Sequence, residues 1–285
     1  MSNIELVGVI GGGTMGAGIA EMCARSGSSV LILETSQGTA DAAEARLDKS
    51  FARAVKSGRI DADAAEKARA AISLTLDIND FADRDLVIEA APEIESLKLD
   101  LFGKLDSIVK PEGILATNTS SIPVIKMANA TKRPGQVVGV HFFNPVPVLP
   151  LVEIVVSLLT SEETVDAVTD YAANTLGKKT IRAGDRAGFI VNALLIPYMV
   201  SAIRMLESGF ASAEDIDDGM VNGCAHPMGP LRLTDTVGLD VTLAVAESLY
   251  AEFREPHYAP PPLLQRMVDA GMLGRKSGKG FYTYS

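Results

Sequence analysis

Val9-Ile10-Gly11-Gly12-Gly13-Thr14-Met15-Gly16-Ala17-Gly18 is the stretch that decides how this chain folds. Upstream of it, the β-branched, apolar residues 4–10 read as a strand buried on both faces, as in a parallel sheet. Downstream, an Ala-rich helical pattern runs to Ser26-Gly27. The intervening G-x-G-x-x-G permits a tight turn and close approach of the backbone to a pyrophosphate, and the helix N-terminus that follows offers N–H donors and partial positive charge. Such glycines are common, and the context gives them weight. A second strand, residues 29–33, ends at Glu34, about 20 residues on, where a dinucleotide-binding turn needs an acidic side chain. A carboxylate there accepts the ribose hydroxyls of an adenosine and repels a 2′-phosphate. The stretch predicts a dinucleotide site that favours NAD, with NADP the less favoured alternative.

Working outward, residues 40–71 are Ala-rich and charged with helical periodicity broken at Ser57-Gly58, which predicts a helical hairpin before a third strand at 72–76. Arg53, Lys56 and Arg59 cluster at that break. They read equally as a solvated helix face or as a local basic patch for a phosphorylated substrate tail. Further strands are expected at 85–89 and 113–117, with a turn at Ala90-Ala91-Pro92-Glu93 and a helix over 94–109 between them. Asn118-Thr119-Ser120-Ser121-Ile122-Pro123 then opens a short helix. Its hydroxyls either cap that helix or line the crevice at the carboxyl end of a parallel strand.

Residues 137–140 read as a strand ending at His141, and residues 151–156 as a strand containing Glu153, with Pro145, Pro147 and Pro150 stiffening the connection. A glutamate among Leu, Val and Ile needs a partner, because an uncompensated buried carboxylate costs several kcal/mol, about 3–5. His141 is the nearest candidate, so a base and its orienting carboxylate are expected here. A helix over 161–176 and a last strand over 179–182 complete the first part, and Gly184-Asp185-Arg186-Ala187-Gly188 marks a boundary. Helices are expected thereafter at 189–208, with Pro197 as a kink or break, and at 213–222, 237–253 and 262–270. In the first of these, Asn192 sits on the stripe of Phe189, Ala193 and Ile196, a polar group on an apolar face.

The fold expected is therefore α/β: a Rossmann-type, doubly wound, mostly parallel sheet with a helical hairpin insertion over residues 1–187, followed by a smaller all-α C-terminal domain over residues 188–285. With 285 residues, 47% of them hydrophobic, the chain can bury a full core. A net charge of −10 argues against nucleic acid or an anionic membrane as the main partner. Cys23 and Cys224 stand far apart and the three histidines are scattered, so neither a disulfide framework nor a metal motif is read. The N-terminal residues lack the basic flank and cleavage site of a signal peptide, and Asn192, Pro197 and Arg204 interrupt the apolar 189–206 segment. A cytoplasmic protein is expected.

Taken together, the segments resemble the 3-hydroxyacyl-CoA dehydrogenase family, closest to its short, single-function 3-hydroxybutyryl-CoA dehydrogenases. The residues that carry the resemblance are the glycine turn, Glu89-Ala-Ala-Pro-Glu93, Ala116-Thr-Asn-Thr-Ser-Ser121, His141-Phe-Phe-Asn-Pro145, Gly188-Phe-Ile-Val-Asn192, His226-Pro-Met-Gly-Pro230 and the tail from Gly274 to Tyr282. The resemblance implies interconversion of (S)-3-hydroxybutyryl-CoA, or a similar short 3-hydroxyacyl-CoA, and its 3-oxo form with NAD. It implies His141 as general base, Glu153 holding the imidazole tautomer, Ser120 on the reacting oxygen and Asn192 on the substrate carbonyl. For the cofactor it implies Gly11, Gly13, Thr14, Met15 and Gly16 at the pyrophosphate, Glu34 at the ribose, and Glu93, Lys98, Ser120 and Asn144 nearer the nicotinamide, with Lys276 from the tail. Asn144 also positions substrate, and Arg53 stands where the family has a lysine facing coenzyme A. The resemblance further implies a homodimer through the helical domain. Pro150 and Ala193 depart from basic residues common in the family, which bears on substrate detail. The competing readings are a dehydrogenase of a free hydroxy acid or sugar acid, and a non-catalytic dinucleotide-binding protein.

Overall fold

The structure, a computed structural model, describes residues 4–284. It divides into two units, Met1–Asp185 and Arg186–Ser285.

In the first unit, strands β1 (Leu6–Ile10), β2 (Ser29–Leu33), β3 (Ile72–Thr75), β4 (Leu86–Glu89), β5 (Ile114–Thr117), β6 (Val137–Phe142), β7 (Leu151–Val156) and β8 (Lys179–Gly184) form one sheet in the order β3-β2-β1-β4-β5-β6-β7-β8. All pairings are parallel except β6 with β7. Because β1 lies between β2 and β4, the chain order reverses there, and such a switch point leaves a crevice at the carboxyl ends of the strands. Every residue of β4, β5 and β6 is buried, which is why these strands read as continuous apolar runs. Their polar residues gather at the carboxyl edge: Glu89 ends β4, Thr117 ends β5, and His141 is the penultimate residue of β6.

Among the described residues six α-helices connect these strands: α1 (Thr14–Arg25), α2 (Gln37–Lys56), α3 (Ala62–Ala70), α4 (Glu95–Ile108), α5 (Val124–Asn129) and α6 (Glu162–Asp170). Ser36 and Thr39 form a reciprocal capping box that starts α2, and Asp61 caps α3 after the break at Ser57-Gly58. The helix expected over 161–176 is α-helical only to Asp170, after which residues 171–175 widen into a π turn. Residues 118–123 do not cap α5 through their hydroxyls. The Asp185 carboxylate does so instead, accepting from the Val124 and Ile125 N–H groups at 2.8 and 2.7 Å.

The second unit is helical: α7 (Val191–Glu207), α8 (Ala213–Cys224), α9 (Pro230–Val237), α10 (Leu239–Phe253) and α11 (Pro262–Asp269). Three expectations change here. Pro197 lies inside α7 without ending it. The helix expected over 237–253 begins only at Leu239, because Gly238 has φ 107° and separates it from α9, an element the periodicity did not reveal. Phe189 is not on a helical stripe with Asn192, since it precedes α7 with φ 48°. Two buried aspartates fix the tail in place. Asp235 accepts from the Phe281 and Tyr282 N–H groups, and Asp217 accepts from the Tyr282 hydroxyl. Among the described residues no helix is long and apolar enough to cross a membrane.

Candidate active site

At the switch point, a cavity of about 560 Å³ is lined by the glycine turn, Glu34, Thr35, Thr39, Ala42 and Arg46 on one side and by Ala90, Ala91, Pro92, Leu97 and Leu101 on the other. Gly11 adopts φ 88°, which disfavours other residues. A Cβ on Gly16 would run into the Gly11 carbonyl oxygen, so helix and turn pack this closely only with glycine. A Cβ on Gly13, in contrast, would meet nothing within 4 Å. Gly13 is the N-cap of α1 yet supplies no side-chain cap, and the first turn carries no acidic residue. The donors of that turn are thus left for an anion from outside the chain, which is what a pyrophosphate requires. Glu34 accepts the Gly12 N–H with Oε1 at 2.5 Å, which fixes its carboxylate at the cavity wall. These features fit a dinucleotide.

A second group sits beyond the ends of β4 and β5. Glu89 is fully buried and accepts from Lys98 Nζ at 2.7 and 2.8 Å, from the Ala91 N–H at 2.7 Å and from the Thr117 hydroxyl at 2.7 Å. Lys98, itself 1% exposed, also reaches Glu93 at 3.0 Å. Glu93 in turn gathers the turn after β5. Its Oε1 accepts from the Thr119 hydroxyl at 2.5 Å, the Ser120 and Ser121 N–H groups at 3.0 and 3.1 Å, and the Ser121 hydroxyl at 2.8 Å. Burial alone would raise the Glu93 carboxyl. The Lys98 charge and the hydrogen bonds from Thr119, Lys98 and Ser121 outweigh it and hold the group below the usual carboxylate range. Of three consecutive hydroxyls, two are therefore bound to Glu93, and only that of Ser120 makes no hydrogen bond among the described residues.

The third group is the histidine and its carboxylate. His141 and Glu153 are directly opposed in the antiparallel β6–β7 register. Nδ1 lies 2.7 Å from Glu153 Oε2, with Glu153 fully buried and His141 6% exposed. An ionised carboxylate only accepts, so Nδ1 donates to Glu153. Phe143 meets the imidazole at 63° with centroids 4.7 Å apart. Asn118 braces the strand by accepting the Phe142 N–H at 2.9 Å. Asn144, two residues on, is exposed.

Family models for the "3-hydroxyacyl-CoA dehydrogenase, NAD binding domain" and the "3-hydroxyacyl-CoA dehydrogenase, C-terminal domain" match residues 6–186 and 188–284. The chain is 52% identical over 282 residues to a 3-hydroxybutyryl-CoA dehydrogenase of Mycobacterium tuberculosis, covering 99% of each. The chain belongs to the 3-hydroxyacyl-CoA dehydrogenase family. Its fold superposes on the crystal structure of FadB2 from M. tuberculosis with TM-score 0.98 at 52% identity, covering 100% of both chains. For the (S)-3-hydroxybutyryl-CoA dehydrogenase PaaH1 from Ralstonia eutropha the TM-score is 0.92 at 43% identity, covering 99% of this chain and 100% of that one. As in other 3-hydroxyacyl-CoA dehydrogenases, the cofactor is NAD.

In this 3-hydroxyacyl-CoA dehydrogenase the expected site residues fall into distinct places. The glycine turn joins Glu34, Glu93 joins Lys98 and Ser120, and His141 joins Glu153. Lys98 is buried against Glu89 and Glu93, its partners at 2.7 and 3.0 Å. Arg53, Lys56 and Arg59 are exposed around the break after α2. Asn192, on α7, is half-buried with an amide that makes no hydrogen bond among the described residues. Lys276 pairs with Asp240 at 2.5 Å. Sequence reasoning missed Glu89, Thr119 and Arg46 as members of the site. Glu89 carried the signal that singled out Glu153, a carboxylate in an apolar strand. Arg46 was legible as the third of Thr39, Ala42 and Arg46, which share one face of α2 at spacings of three and four.

Proposed function

We propose that the enzyme interconverts (S)-3-hydroxybutyryl-CoA and acetoacetyl-CoA with NAD, with His141 as the general base. The observation that carries this reading is the His141–Glu153 pair at the carboxyl edge of the sheet. When bound, the nicotinamide accepts a hydride in the oxidation and returns it in the reduction. Nε2 of His141 takes the hydroxyl proton of the alcohol, and Glu153 stabilises the imidazolium that results. The Ser120 hydroxyl, left uncommitted by its neighbours, donates to the reacting oxygen as charge develops on it. Glu93 fixes the turn that presents Ser120. Gly11, Gly13, Thr14, Met15 and Gly16 hold the pyrophosphate and Glu34 the ribose.

The remaining assignments rest on the family resemblance: Asn192 and Asn144 position substrate, Lys276 and Asn144 meet the cofactor, and Arg53 faces coenzyme A. We also assign residues 1–187 to cofactor binding and 188–285 to substrate binding and homodimer formation, in a cytoplasmic enzyme. The short-chain substrate is supported by relatives named 3-hydroxybutyryl-CoA dehydrogenase at 41–52% identity over nearly the whole chain.

Reduction of acetoacetyl-CoA, followed with NADH and with NADPH, tests the proposal. Turnover with NADH is expected to exceed that with NADPH. Absence of any hydride transfer to acetoacetyl-CoA, or free 3-hydroxybutyrate oxidised as fast as its CoA thioester, would overturn it.

A further inference from the structure

We infer that Arg46 forms a latent 2′-phosphate site beside Glu34, so that one carboxylate alone keeps this pocket from accepting NADPH. The inference rests on the reading of the cavity as the NAD site. Glu34 and Arg46 hold the same residue from two directions. Glu34 accepts the Gly12 N–H at 2.5 Å, and Arg46 Nη1 donates to the Gly12 carbonyl at 3.1 Å. Opposite charges thus flank Gly12 at the wall of the cavity that Thr35 and Thr39 also line.

No carboxylate among the described residues pairs with Arg46, Glu34 included. The acidic residues around it on α2 are turned elsewhere. Glu44 and Asp48 meet Arg69 at 3.5 and 2.7 Å, and Asp41 accepts from the Gln37 amide at 2.7 Å. The guanidinium therefore keeps its charge and its remaining N–H donors beside the position that Glu34 marks as the ribose. In dinucleotide folds a carboxylate there takes the 2′-hydroxyl, and a nearby arginine accommodates a 2′-phosphate. This chain holds both, with the carboxylate opposing what the arginine would bind.

The test is titration of the intact protein with NADH and NADPH, read by nucleotide fluorescence at fixed ionic strength, for wild type, Glu34→Gln, Arg46→Leu, Arg46→Lys and the double variant Glu34→Gln/Arg46→Leu. Glu34→Gln is expected to raise NADPH affinity at least about tenfold, the weight of one charge-assisted hydrogen bond. Adding Arg46→Leu removes that gain, and Arg46→Lys in the wild-type background weakens NADPH less than Arg46→Leu does. The decisive quantity is the ratio of the two affinities. If Arg46 merely straps the Gly12 carbonyl, its loss weakens both nucleotides equally. An unchanged ratio in Arg46→Leu, a double variant that binds NADPH as tightly as Glu34→Gln, or no gain in Glu34→Gln overturns the inference. Failure of the wild type to bind NADH overturns the dinucleotide reading itself.

Discussion

Glu89 and Glu153 are both wholly buried at the carboxyl edge of one sheet, and their partners separate them. Glu89 meets a lysine, a threonine hydroxyl and a backbone N–H, and Lys98 carries a second carboxylate, Glu93. Every donor in that cluster has a fixed role in shaping the turns at Ala91 and Ser120. Glu153 meets an imidazole, whose Nδ1 lies 2.7 Å from the carboxylate. A buried carboxylate that gathers a lysine, a hydroxyl and a backbone N–H shapes the site, whereas one paired with histidine orients a candidate base. The difference teaches that burial alone does not mark chemistry. The chemistry of the partner does.

The sharpest way to break this comparison is to remove the imidazole. His141→Gln is expected to lower turnover about 10³-fold or more while NADH still binds, measured by steady-state kinetics and fluorescence titration. Retained activity would remove the base assignment. Next in size, Lys98→Met leaves two carboxylates without their common cation and should cost about 3–5 kcal/mol in urea unfolding. A change below about 1 kcal/mol there would mean the cluster is no structural clamp.

Glu153→Gln sharpens the comparison from the catalytic side. It should lower turnover about 10²-fold, because the imidazolium formed in the reaction has lost its counter-charge. A loss of stability with unchanged turnover would place Glu153 in the same class as Glu89. Ser120→Ala should slow turnover about tenfold, one hydrogen bond to a charged oxygen, and leave the thermal midpoint essentially unchanged.

The smallest effect is a pH dependence. The Glu93 carboxyl is held below its unfolded value, so its stabilising contribution is complete above the ordinary carboxylate range and is lost as pH falls through the folded value. The stability difference between wild type and Glu93→Gln, measured by urea unfolding across pH, should therefore shrink on acidification below about pH 4.5. A difference that grows on acidification would reverse the sign assigned to Glu93.

Much of this site was legible in local pattern. The glycines with Glu34, and the need for a partner at Glu153, follow from chain geometry and from the cost of an unpaired buried charge. The Glu89 cluster was not, because Lys98 reaches Glu89 only once α4 has folded back over β4. Nor was the role of residues 119–121. Hydroxyls before a helix read either as caps or as crevice lining, and it is Asp185, remote in sequence, that caps α5 while Glu93 binds the Thr119 and Ser121 hydroxyls. Phe189 was misplaced on the stripe of Asn192 because periodicity does not register a left-handed residue at a helix entrance.

By itself, the sequence determined the alternation of strands and helices, the phosphate-binding turn and the family, since all of these reside in short-range spacing and in motifs. Only the tertiary structure decided which polar groups are committed and which remain available. The β6–β7 register sets His141 opposite Glu153, Glu93 binds two of three adjacent hydroxyls and leaves Ser120, and Arg46 shares Gly12 with Glu34. The physical reason is that a hydrogen bond is a contact between particular atoms. Which atoms meet depends on the packing of segments distant along the chain.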